Sequence, residues 1–90
     1  MDKIKAKAEI DKLKQKLAQV KEQHKRINEN HKYQLDSLKK SASIQSTPAA
    51  KQNAKKQIES KKQTWDNAKR IQASEIQQIL SQIERIKNSI

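Results

Sequence analysis

The chain has 90 residues, 32% of them apolar and 34% charged, with no Gly, no Cys and a single Pro. These values exclude more than one small domain, a disulfide framework, a thiolate metal site and a multi-stranded β fold, because Gly and Pro supply most turns. The net charge of +11, from 21 Lys and Arg against 10 Asp and Glu, favours an anionic partner: nucleic acid, an anionic membrane surface or an acidic protein.

The first predicted element is a helix over residues 2–40. Ile10, Leu13, Leu17, Val20, His24, Ile27 and His31 follow one another at alternating steps of three and four, the seam spacing of a coiled coil. Leu35 and Leu38 continue the seam in a shifted phase. Beside it, Lys5, Lys12, Gln19, Arg26, Tyr33 and Lys40 recur every seven residues, next to Gln15, Glu22, Glu29 and Asp36. Arg26 and Glu29 lie one turn apart, so this stripe reads as ion pairing on an exposed helix surface.

A turn is expected over 41–47, where the sequence reads SASIQST. Thr47 followed by Pro48 is a helix start, with a hydroxyl to cap the first turn and a proline where no backbone N–H is needed. The second helix is predicted over 48–89. So short a connection forces the helices antiparallel. The expected fold is therefore all-α, an elongated, coiled-coil-like helical hairpin forming a single unit over residues 1–90. Folding the chain about this turn sets Leu13 against Ile76, Ile10 against Ile79 and Ala6 against Ile83. It also sets His24 against Trp65 and His31 against Ile58.

Along the second helix, every seventh residue reads Lys55, Lys62, Lys69, Ile76, Ile83 and Ile90, changing from lysine to isoleucine halfway. Ile76, Ile79, Leu80, Ile83 and Ile86 cover a wider arc than one partner helix hides, which predicts a self-association or partner interface and a homo-oligomer. The bend is the opposite in kind. From Ser37 to Lys62 there are seven lysines (Lys39, Lys40, Lys51, Lys55, Lys56, Lys61 and Lys62) against one acid, Glu59, a net +6. Phosphate contact needs positive side chains without strict geometry, so these seven are the candidate anion-binding residues.

His24 and His31 stand seven apart, too far along the axis for both to ligate one metal, where a helical site uses a spacing of four. They read as polar seam positions that fix register and could make packing sensitive to pH. Trp65 reads as core filler or a dimer contact. Without a Gly-rich loop, a Cys nucleophile or a concave pocket, no catalytic site, cofactor or small-molecule substrate is expected. No apolar run reaches the length of a signal-peptide core or a membrane span, which predicts a cytoplasmic protein and leaves leaderless export open.

Two families are similar to this hairpin in outline. Secreted WXG proteins carry Trp-x-Gly in the turn, whereas here Trp65 lies deep in the second helix and is followed by Asp66 and Asn67. The plasmid repressor-of-primer protein is a shorter hairpin that dimerises and binds RNA; the likeness is one of architecture. The expected function is non-enzymatic: a small basic accessory protein, of a phage or other mobile element, that contacts a nucleic-acid backbone through its lysine-rich bend. The alternative is a protein-binding helical module (inhibitor, chaperone, scaffold or secreted hairpin) that docks on an acidic protein.

Overall fold

Two helices, α1 (Lys3–Ser43) and α2 (Pro48–Asn88), account for nearly all of the chain in the computed structural model, which describes residues 2–90. Residues 44–47 join them, and the fold is an all-α helical hairpin. Both helices start on a side-chain cap. Asp2 Oδ1 accepts the N–H of Ile4 at 3.1 Å, and its carbonyl accepts Ala6 N–H at 2.8 Å. Thr47 Oγ1 accepts the N–H of Ala50 at 3.2 Å, and its carbonyl opens the α2 ladder to Lys51 N–H at 3.0 Å. Each cap satisfies donors that a helix start leaves orphaned.

The first helix runs three residues beyond the expected stop at Lys40. Ser41, Ala42 and Ser43 contain no helix breaker, so nothing ends the ladder until Ile44. No glycine is present to take a left-handed cap, and among the described residues no backbone φ is positive. The end tightens instead: Ile44 N–H reaches Ser41 O at 3.4 Å and Gln45 N–H reaches Ala42 O at 3.3 Å, both three residues back. The turn is therefore four residues rather than seven.

The chain divides into two compact units, Met1–Lys25 with Ile71–Ile90, and Arg26–Arg70. In the first, Ile10, Ile79 and Ile83 are buried together, with Leu13, Leu17, Val20 and Ile86 packed around them. Each isoleucine so buried contributes about 2 kcal/mol. His24, 7% exposed, closes the same seam and pairs with Glu75 Oε2 at 3.1 Å through Nε2. An ionised carboxylate only accepts, so Nε2 carries the proton. In the second unit the seam is Asn28, His31, Leu35, Leu38 and Ala42 on α1, and Ala50, Ala54, Ile58, Lys61, Trp65 and Ala68 on α2. Leu35 alone among the large apolar residues there is buried.

Three expected placements are corrected by this packing. Ile27 is 45% exposed and Asn28 takes its seam position. The seam steps by four from Val20 to His24 and by four again to Asn28, a local shift of phase that turns Ile27 outward. Trp65 does not meet His24, because Glu75 does. Its ring stacks on His31, with centroids 6.1 Å apart and planes at 16°, so His31 does not meet Ile58. The shorter turn moves the fold point toward the C-terminus and shifts every pairing near it.

Candidate anion-binding surface

The surface of the Arg26–Arg70 unit follows from one rule of helix geometry. A residue that directly follows a seam residue is rotated about 100° from the seam in one sense, and a residue that precedes one is rotated as far the other way. On the preceding side stand Gln34, Ser37 and Ser41 of α1 and Gln57, Ser60 and Thr64 of α2. Two shallow grooves gather these residues around Leu38 and Lys61, so both sets lie on one side of the helix pair. The following side of both helices must then lie on the other.

That other flank is charged. Lys32 and Lys39 on α1 and Lys51, Lys55, Lys62 and Lys69 on α2 each follow a seam residue, and all six are exposed. Lys32 to Lys39, and Lys55 to Lys62 to Lys69, advance by seven residues, about 10 Å along each axis. Glu29, Asp36, Glu59 and Asp66 also follow seam residues. They sit farther from the interhelical groove than the lysines, as outer margins to a lysine strip. Among the described residues no ion pair joins these acids to the six lysines.

The seven lysines singled out from the sequence are thus not one group. Lys39, Lys51, Lys55 and Lys62 share the strip. Lys40 points away from the partner helix, and Lys56 borders the groove on the uncharged side. Lys61 is half-buried in the seam itself. Lys32 and Lys69 belong to the strip although the bend does not contain them. The signal for both is their place directly after the seam residues His31 and Ala68.

Trp65 supports the strip from below. Its Nε1–H donates to Asn28 Oδ1 at 3.0 Å, and Lys69 Nζ lies 4.0 Å from the ring centroid. A cation over an indole face is held by the ring quadrupole. Next to it, burial holds the His31 imidazole below its ordinary pKa, and the Lys61 ammonium pushes it the same way. Nδ1 of His31 and Nδ1 of His24 are buried without a hydrogen-bond partner among the described residues.

The residues proposed for self-association lie in the other unit. Ile79 and Ile83 are 5% and 6% exposed, taken up by the core with Ile10. Ile76 and Ile86 are half-buried, and Leu80 is exposed. Among the described residues no helix is long and apolar enough to cross a membrane.

The fold defines a class, the all-α helical hairpin. No family model, curated protein or solved structure matches the chain.

Proposed function

We propose that the protein is a non-enzymatic binding protein that contacts a nucleic-acid backbone through Lys32, Lys39, Lys51, Lys55, Lys62 and Lys69. One observation supports this above the others: six exposed lysines share one flank of the Arg26–Arg70 unit, while the grooves of the opposite flank are lined mainly by Gln, Ser and Thr, with Lys56 and Lys61 as their only charged groups. Lysine ammoniums held on a rigid helical frame attract phosphates without selecting a base. The acids at the margins favour a narrow footprint, one run of phosphates between the rows of Glu29 and Asp36 and of Glu59 and Asp66. Base stacking takes no part, since the Trp65 ring is already occupied by His31 and Lys69.

Fluorescence anisotropy with a labelled duplex and a labelled single strand tests the reading. Six neutralised phosphates correspond to a fall of log affinity with log salt of about −5 for duplex and about −4 for single strand. No binding of either at about 50 mM salt removes the reading. In that event the competing role, docking on an acidic protein through the same lysines, takes its place.

A further inference from the structure

In the unit formed by Met1–Lys25 and Ile71–Ile90, the two flanks are composed differently. Leu13 and Ile86 are only half-covered by the helix pairing, and they floor an open groove of about 430 Å3. Its rim holds both signs of charge: Glu9 and Lys12 from α1, Gln82 and Arg85 from α2. Among the described residues no large side chain is fully buried, so the core of this hairpin stops short of enclosing its own apolar residues.

We infer that this groove is the contact between two copies of the chain, related by a two-fold axis, with Leu13 and Ile86 of each copy against those of the other. Under such an axis each copy offers the same patch, so a rim must complement itself. Here Glu9 of one copy meets Arg85 of the other and the reverse pair forms with it, while Lys12 of each copy stays unmatched. The lysine strip cannot serve as a self-contact, because like charges would face like. At a net charge of +11, the Glu9 of each copy lowers the repulsion where two copies touch without cancelling it, since each rim holds one acid against two bases. The pairing uses none of the six strip lysines.

The inference concerns a different surface from the nucleic-acid reading, and nuclease-treated protein in the absence of nucleic acid tests it separately. Sedimentation equilibrium at about 100 μM, above a micromolar Kd, reads the mass. The expected result is twice 10.4 kDa for the unaltered chain. Glu9→Lys alone and Arg85→Glu alone are expected to sediment as monomers with unchanged helical circular dichroism. An equimolar mixture of the two variants restores the dimer, because each altered side chain then faces its opposite charge. Rescue on mixing separates a contact between copies from repulsion within one hairpin, which mixing cannot relieve. A monomeric unaltered chain overturns the inference. So does a pair of single variants that dimerise as well as the unaltered chain, or a mixture that stays monomeric.

Discussion

His31 sits between an indole and a lysine, and its chemistry follows from that position. Burial and the Lys61 ammonium both disfavour its charged form, so its folded pKa lies below the unfolded value of about 6.5. Between those two values the unfolded chain binds the proton and the folded chain does not. Stability is therefore full above about pH 6.5 and falls as pH drops through the window beneath it. The groups facing the ring are Trp65, Lys61 and, across the indole, Lys69. Replacing His31→Phe keeps a ring against Trp65 and removes the titration. The melting temperature of this variant should fall less than that of the unaltered chain between about pH 7 and pH 5. Equal falls in the two proteins would place the pH response elsewhere. Asn28 is a second single-residue dependence. Asn28→Ala leaves the Trp65 N–H without its acceptor and should cost about 1–3 kcal/mol, read as a lower urea midpoint.

At the scale of elements, the start of α2 is the point most open to test. Thr47→Ala removes the acceptor of the Ala50 N–H and should cost about 1 kcal/mol of stability in chemical denaturation, with the fold kept. Ile79→Ala opens the centre of the other unit and should cost about 2–5 kcal/mol. A loss for Ile79→Ala no larger than that for Thr47→Ala would mean that the Ile10–Ile79–Ile83 cluster is not the main support of its unit. Both helices, the cap at Thr47 and the hairpin fold were legible in the sequence, because seam spacing, Ser/Thr-Pro chemistry and the absence of Gly act locally. The end of α1 was not. Ser and Ala neither break nor demand a helix, so three residues of ladder turned on hydrogen bonds that no pattern announces. The pairing of His24 with Glu75 was hidden for a related reason, since a small error in the turn is carried into every cross-helix contact.

At the scale of the molecule, lysine gathers near the bend, and within the Arg26–Arg70 unit six lysines share one flank. Lys39→Gln, Lys55→Gln and Lys62→Gln made together should weaken backbone binding and reduce the salt slope by about 2–3. Lys40→Gln with Lys56→Gln, off the strip, should leave the slope nearly unchanged. An equal loss per lysine in the two sets would show that total charge, and not the flank, governs binding. The abundance of lysine near the bend could be read from the sequence; its division among strip, outer face and seam could not, because the α2 seam there runs through Ala50, Ala54 and the half-buried Lys61, which carry no apolar signal strong enough to phase it. Lys69 joins two parts of this account. It is a member of the strip, and its ammonium lies over the single tryptophan of the chain. If the strip takes up a polyanion as proposed, drawing Lys69 outward would strip a positive charge from the indole face, and the colour of Trp65 emission would change with it. The proposed binding would then carry its own optical gauge, readable without a label.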